Sequence, residues 1–283
     1  MGLLSVMLSA GGPVSRFFEY HKENGMPEYS SVVGAVVNFL DCPCTYFAPM
    51  IDDDPLTEAY EKAMDEFVRK GEHFPVFVIP SDTLLETLIM NSDPDAESND
   101  DEWSAENVRQ FRAAMLEADT SDGERRLGDL INITREVLEE PEAFESMLHE
   151  EGGVVESQDR IISWWDYDTG MTRHIVLAMI PVMRPWQIMA WLPFGGWNDC
   201  PNNESLMSIA RLWYEKYGAV PAVISSDSME FVLQSPVPEN EALDLAIKHY
   251  AFCPDIIEQS DGITIPSHAE ALKKSLSWPF WWD

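Results

Sequence analysis

The chain has 283 residues, of which 45% are apolar, and carries a formal net charge of −32 from 50 acidic and 18 basic side chains. Its apolar content, with ten tryptophans, suffices for one large hydrophobic core or two modest ones. The charge excludes a basic nucleic-acid-binding surface and disfavours anionic membranes, because both need Lys or Arg facing phosphate. It favours positively charged proteins or cations as partners.

The acidity is concentrated in the first part of the chain. Residues 1–160 carry 35 acids and 11 bases, a net of −24, whereas residues 161–283 carry 15 acids and 7 bases, a net of −8. Two explanations stay open: a basic protein partner, or an acidic background shared by the proteins of the source organism.

The beginning of the chain is apolar for about eight residues but lacks the basic region of a signal peptide, since its first cation is Arg16. Val6 stands where a myristoylation signal has Ser or Thr. No apolar run approaches the ~20 residues that span a bilayer. Four cysteines are too few for a disulfide scaffold in a chain of this length. We therefore expect a cytoplasmic protein.

The first elements alternate between strand and helix patterns. Residues 31–40 form a continuous β-branched apolar run that predicts a buried strand, and Phe74–Ile79 predicts another. Between them, Thr57–Lys70 shows helical spacing and is followed by Gly71, a residue typical of helix ends. This order is typical of a small α/β unit.

A helix over Leu84–Met90, capped by Ser81 or Asp82, continues the alternation. Residues 91–106 then carry seven acids and no base, which predicts a solvated loop. Two helices are predicted next, over residues 105–118 and 124–140.

A second acidic stretch follows, since residues 136–156 hold eight glutamates and no Lys or Arg. The Gly152–Gly153 pair is polar and flexible enough for a domain boundary. We predict an acidic α/β and helical N-terminal part over residues 1–152 and a Trp-rich α+β domain over residues 153–283.

The second part has a clearer pattern. Its predicted elements are strands over 173–182 and 186–192, a helix over 206–217, strands over 220–224 and 229–233, a helix opened by Pro238 and a short helix around 267–276. This order predicts an α+β fold, with a mixed or antiparallel sheet and helices packed on one side, preceded by the smaller α/β and helical N-terminal part.

Aromatic motifs recur in the last hundred residues, at Phe194–Asn198 with Cys200 and Pro201, at Trp213–Ala219, at Tyr250–Asp255 and at Phe280–Asp283. Over residues 185–283 this pattern resembles a bacterial family known as domain of unknown function 4253. The resemblance implies a fold module and carries no activity with it. The closing Phe-Trp-Trp-Asp is expected to pack into the core, since each such ring buries about 150–250 Å².

Gly195–Gly196 follows a predicted strand and precedes a helix, a position at which backbone N–H groups can bind an anion. The glycine motifs of dinucleotide and P-loop sites are both absent from the sequence. A turn that requires a positive φ is the favoured interpretation.

The cysteines allow several readings. Cys42 and Cys44 are separated by one residue, which is too few for a zinc knuckle. A metal site from Cys200, His249 and Cys253, or a redox pair of Cys200 with Cys253, is geometrically possible. Burial of the thiols as small apolar side chains is favoured over both. We expect no metal and no cofactor.

Catalytic signatures are weak. Asp199, Asp255 and Asp283 could act as acid and base, but capping and loop roles are favoured. The chain lacks the G-x-S-x-G nucleophile motif. We therefore lean against an enzyme.

Nine of the ten tryptophans lie between residues 164 and 282. Trp213 is expected in the core, because it shares a helical stripe with Leu206 and Ile209. Trp281 and Trp282 cannot both point the same way in an extended segment, so one is expected to be exposed. Trp197 lies in a predicted turn and is the best aromatic candidate for a functional site.

The leading functional hypothesis is a non-enzymatic protein-binding module of immunity or antitoxin type that binds a basic partner, with acidic segments 93–106 and 136–156 steering the encounter. The alternative is an enzyme or small-ligand binder with a pocket between Phe194–Pro201 and Cys253–Gln259. A carbohydrate-binding surface would need two exposed tryptophans side by side. No nucleic acid and no membrane are expected as partners, and the sequence leaves the oligomeric state open. The candidate binding residues are Trp197, Asn198, Cys200, Tyr214, Asp255, Gln259, Trp282 and Asp283.

Overall fold

The computed structural model describes residues 30–98, 103–138 and 141–283. The helices are α1 (Ser30–Leu40), α2 (Asp54–Lys70), α3 (Asp82–Ser92), α4 (Ala105–Glu117), α5 (Gly123–Val137), α6 (Pro141–Met147), α7 (Asn203–Tyr217), α8 (Ala242–Phe252), α9 (Asp255–Glu258) and α10 (Ile265–Leu272). The strands are β1 (Cys44–Phe47), β2 (Phe74–Val78), β3 (Trp165–Asp166), β4 (Met171–Thr172), β5 (Ile175–Ile180), β6 (Val220–Ile224), β7 (Ser228–Val232) and β8 (Ser277–Trp281). Short 3-10 helices lie at Pro94–Ser98 and Pro185–Ala190.

These helices and the strand pairs between them confirm the predicted α+β class. None of the helices in the described ranges has the length and apolarity that a bilayer crossing requires. The apolar first residues, for which no signal peptide was expected, lie outside the described residues.

The chain forms two compact units, each assembled from separate stretches. The first comprises the described part of residues 1–118 with Trp164–Phe194 and Ile224–Ser226. The second comprises residues 119–163, Gly195–Val223 and Asp227–Asp283. The expected division into residues 1–152 and 153–283 as independent domains stays a prediction.

In the first unit β5 is the central strand. It pairs antiparallel with β1, in the register Cys44↔Ala178, and with β2, in the register Phe77↔Leu177. All five residues of β2 are buried. This burial on both faces explains why β2 reads as a continuous apolar run in the sequence.

The predicted strand over residues 31–40 is wrong, because this segment forms helix α1. Its fully buried residues include Val33, Val36 and Leu40, which are three and four residues apart. That spacing is the helical period, and a run of ten residues exceeds the usual length of a buried strand. Apolar residues also occupy half-buried positions such as Val32, Ala35 and Val37, so the apolar run in the sequence does not show the helical period.

The helices with clear end signals are confirmed. α2 ends at Gly71, which adopts the left-handed conformation at φ 70°. The Ser81 hydroxyl accepts a hydrogen bond from Leu84 N at 3.0 Å and begins α3. These are the helix signals that the sequence offered most directly.

The acidic loop of residues 91–106 is only partly solvated. Its Asp93 is buried and accepts hydrogen bonds from Ser104 N at 2.6 Å and Asn107 Nδ2 at 2.7 Å. Residues 99–102 lie outside the described ranges. The carboxylate of Asp93 therefore orders the start of α4 rather than facing solvent.

In the second unit β7 pairs antiparallel with β8, in the register Phe231↔Trp278. The ring of Trp213 on α7 is stacked on Phe280 with a centroid distance of 5.5 Å and meets Phe231 and Phe252 edge-on at 5.3 and 4.9 Å. The expected core position of Trp213 and the packing of the closing aromatic residues are confirmed.

The strand predicted over residues 186–192 is wrong, because a 3-10 helix occupies Pro185–Ala190. Gln187 N donates to Arg184 O and Trp191 N to Ile188 O, both with three-residue spacing. The fixed φ of Pro185 suits the first turn of a helix. As for residues 31–40, an apolar run can form either a helix or a strand, and the run alone does not distinguish them.

Candidate functional site

A tight turn over residues 195–203 connects to α7 in the second unit. Gly196 has φ 93° and Asn198 φ 44°, both in the left-handed region. A Cβ on Gly195 would lie 2.3 Å from Pro201 O, so this position admits glycine alone without rearrangement. The predicted turn at the glycine pair is therefore confirmed.

Two of the candidate binding residues are bridged by the backbone of a third. Asn198 Nδ2 donates to the backbone oxygen of Asp283 at 3.0 Å. Asp283 N donates to Asp255 Oδ2 at 2.8 Å. In this structure Asn198 and Asp255 hold the segment that follows β8.

The side chain of Trp282 is buried, and its Nε1 donates to Phe252 O at 3.3 Å. Trp281 is half-buried, so the expectation that one of these two tryptophans is exposed is wrong, although their burial differs as in an extended segment. Cys253 Sγ donates to Trp281 O at 2.8 Å. Burial raises the pKa of Cys200 to about 12 and also raises the pKa of Cys253, so both cysteines remain thiols at neutral pH.

The other candidate residues have more accessible positions. Trp197 is half-buried in the turn, and Tyr214 on α7 is 39% exposed. Gln259 is exposed at the end of α9. A binding role for these residues, and a ligand pocket between Phe194–Pro201 and Cys253–Gln259, stay predictions.

The possible metal ligands Cys200, His249 and Cys253 do not form a cluster. Within the described ranges, the group whose ligand atoms lie within 4.8 Å of one another is Asp52, Asp53 and Asp54 at the start of α2. His249 Nδ1 instead lies 3.2 Å from His268 Nε2. The helix spacing of residues 249 and 253 is therefore used for packing.

Basic side chains of the second unit are paired internally on α5, α7 and α8. Glu124 Oε2 lies 3.0 Å from Lys248 Nζ, and its Oε1 lies 3.3 Å from Lys216 Nζ. Although partial burial opposes it, hydrogen bonds and charges from these lysines lower the pKa of Glu124. Arg126 bridges Asp122 and Glu204 in the same region.

An open groove with a volume of about 930 Å³ lies between residues 148–157 and α10, entirely within the second unit. It is lined by Glu150, Glu151, Glu156 and Glu270, with Lys274 as a basic residue. Among the described residues, Glu270 pairs with Lys273, whereas Glu150, Glu151 and Glu156 form no ion pair. The groove therefore presents three uncompensated carboxylates.

The side of this groove formed by residues 153–158 is held by backbone hydrogen bonds at two points. Gly153 N donates to Gly262 O at 2.8 Å, and Gln158 O accepts from Leu276 N at 2.7 Å. Residues 154–157 between these points make no backbone hydrogen bond to other described residues. Val154 is 99% exposed. Residues 154–157 therefore have no secondary structure, and their backbone donors and acceptors are available.

The acidic run of residues 136–156 predicts Glu150, Glu151 and Glu156 as a charged segment. It does not predict that α10 forms the other side of the groove. No local signal in the sequence joins residues 150–156 to residues 266–274. Gly152 also has a different role from the flexible one that we expected. A Cβ at this position would lie 2.4 Å from Thr264 Oγ1, so Gly152 allows a close approach to the start of α10.

Residues 176–283 match the model of the family described as Domain of unknown function (DUF4253), which confirms the resemblance of the C-terminal part of the chain. No curated protein and no solved structure matches the chain.

Proposed function

We propose that this protein is a non-enzymatic protein-binding module of immunity or antitoxin type, which acts in the cytoplasm and binds a basic partner. The observation that carries the proposal is the groove between residues 148–157 and α10, with its three uncompensated glutamates. Charge complementarity selects a partner segment rich in Lys and Arg.

The distribution of charge supports this location. On α5, α7 and α8 the second unit pairs bases with acids, and such exposed pairs contribute little attraction to a partner. Glu150, Glu151 and Glu156 lie in a stretch of 21 residues, 136–156, that has no Lys or Arg. The negative potential at the groove is therefore not cancelled by bases of its own segment.

The backbone supports an extended occupant. Because residues 154–157 leave their N–H and C=O groups available, a partner segment can pair with them as an added strand. Val154 offers an apolar contact beside the acidic rim. The groove therefore suits a segment in which basic residues alternate with apolar ones.

The test is affinity capture from a lysate of the source organism at low and high salt, with mass spectrometry of the retained proteins. We expect a basic protein to be retained at low salt and lost at high salt, since exposed charges are screened beyond about 8 Å at physiological ionic strength. The variant Glu150→Gln/Glu151→Gln/Glu156→Gln removes the groove carboxylates and should lose the same protein.

The matched control is Glu58→Gln/Glu61→Gln/Asp65→Asn, which removes three charges from exposed positions on α2. It should retain the partner. Equal retention by both variants, or no basic partner at either salt, would contradict the proposal.

A further inference from the structure

Cys42 and Cys44 form a pair of neighbouring thiols in the first unit. They flank Pro43, with Cys42 after the end of α1 and Cys44 as the first residue of β1, and their Sγ atoms lie 4.0 Å apart. Both thiols are free and part-exposed, whereas Cys200 and Cys253 are buried. A disulfide bond requires the sulfurs to approach to about 2 Å, so a small side-chain movement would close it.

The backbone on both sides of the pair is fixed. Asp41 adopts a positive φ of 49° at the end of α1, a conformation that Asp tolerates better than most residues. Pro43 O accepts a hydrogen bond from Met179 N at 2.9 Å. Cys44 is paired with Ala178 in β5. The two thiols are thus held side by side on a rigid support.

A buried cation lies close to the pair. The Arg112 guanidinium donates to Phe39 O at 2.7 Å and lies over the Trp191 ring at 4.8 Å. Its Nε has no hydrogen-bond partner among the described residues, and Arg112 forms no ion pair there. Burial lowers the pKa of Arg112 to about 10, while the charge of Cys42 acts in the opposite direction. A thiolate in this pair would compensate the buried charge.

The two thiols are coupled to each other. The hydrogen bond with Cys44, and then burial, raise the pKa of Cys42, although the Arg112 charge acts in the opposite direction. When the pair loses one proton, the remaining S–H donates to the thiolate, whichever of the two sulfurs carries the charge.

We propose that Cys42 and Cys44 form a reversible redox dithiol, which low-molecular-weight disulfides such as glutathione disulfide oxidise. The thiolate of the pair attacks one sulfur of glutathione disulfide, and the old S–S bond breaks to release one glutathione thiolate. A mixed disulfide between that cysteine and glutathione remains.

The other cysteine then gives up its proton to the released thiolate and attacks the protein sulfur of the mixed disulfide. The Cys42–Cys44 bond forms, and the second glutathione leaves as a thiolate that takes a proton from solvent. The protein pair loses two electrons, and one disulfide is reduced to two thiols. A ring closed across a single residue is strained, which makes the product easy to reduce again.

The test is incubation of the purified protein with glutathione disulfide, alkylation of the remaining thiols and mass spectrometry. We expect the wild type to lose two hydrogens from the peptide that contains Cys42 and Cys44, and dithiothreitol to reverse the loss. The variants Cys42→Ser and Cys44→Ser should each retain one glutathione on the remaining cysteine, because neither can close the intramolecular disulfide.

These two single variants serve as controls for each other, because both replace a part-exposed thiol by a hydroxyl of similar size. The wild-type measurement needs no substitution. The proposal is overturned if Cys42 and Cys44 remain fully alkylatable after incubation, if oxidation occurs at Cys200 or Cys253 instead, or if neither single variant retains glutathione.

Discussion

The buried His249 and the half-buried His268 make the stability of the second unit depend on pH in a defined direction. The His249 ring lies among Trp278, Phe280 and Trp213, with centroid distances of 4.8, 4.8 and 5.0 Å. Burial, followed by the charge of His268, lowers the pKa of His249 well below its ordinary value. Burial lowers the pKa of His268 to about 4. Both rings are therefore neutral in the folded protein at mildly acidic pH.

The sign follows from proton uptake. A histidine whose pKa is lower in the folded state binds its proton first in the unfolded state, so folding stability falls as pH falls. The loss begins near the unfolded pKa of about 6.5 and continues down to the folded pKa. At about 1.4 kcal/mol per pH unit for each ring, the two cost up to about 4 kcal/mol between about pH 6.5 and about pH 5.

The assay is urea unfolding followed by tryptophan fluorescence at several pH values from neutral to about 5. We expect His268→Gln to reduce by about half the pH dependence of the unfolding free energy. His149→Gln, at an exposed position, should leave it unchanged.

The other titrating groups are the same in the wild type, in His268→Gln and in His149→Gln. The pKa of Glu230 is raised by burial, which adds stability as pH falls, and the pKa of Asp122 lies at about 2 and therefore outside the window. The comparison of the wild type with His268→Gln therefore isolates His268 together with its effect on His249. The same pH slope in both proteins would contradict the assignment of the pH dependence to these histidines.

Three substitutions, one of them with a matched control, test the packing directly. Glu230→Ala removes the acceptor of two backbone N–H groups and a serine hydroxyl, and should lower the unfolding free energy by about 3 kcal/mol or more in urea titrations. Gly152→Ala, whose Cβ would lie 2.4 Å from Thr264 Oγ1, should lower it by about 1–3 kcal/mol in the same assay. Gly153→Ala, whose nearest contact is 3.4 Å, is the matched control and should be tolerated better. Trp213→Ala should cost about 3–5 kcal/mol, because it removes the ring at the centre of the aromatic core, and a smaller effect than that of Gly152→Ala would contradict this position.

Much of the fold could be predicted wherever the sequence states its own end signals. Gly71, Ser81 and Gly218 mark helix ends through conformation or capping, and these signals act within a few residues. The errors fall on residues 31–40 and 186–192, which contain few polar residues. Without a polar face, the sequence shows no period by which a helix and a strand can be distinguished.

The candidate sites divide in the same way. The glutamates of residues 150–156 could be predicted as an acidic segment, because charge is local to the sequence. The charge of Arg112 on the dithiol could not be predicted, because Arg112 lies 70 residues from Cys42 and only the fold brings the cation near this thiol. Asn198, Asp255 and Asp283 were proposed as binding residues, a role that stays a prediction, and the hydrogen bonds of Asn198 and Asp255 to the Asp283 backbone could not be inferred from spacing.

The most direct test of the account is the affinity of the groove for a defined basic ligand. A fluorescein-labelled peptide in which Arg alternates with Val would be titrated with the wild type, with Glu150→Gln/Glu151→Gln/Glu156→Gln and with Glu58→Gln/Glu61→Gln/Asp65→Asn at low and physiological salt. We predict that the groove variant binds at least about tenfold more weakly, whereas the control, with the same net charge, stays within about twofold of the wild type. Equal losses in the two variants would show that net charge alone attracts the peptide, and would contradict the groove as the binding site.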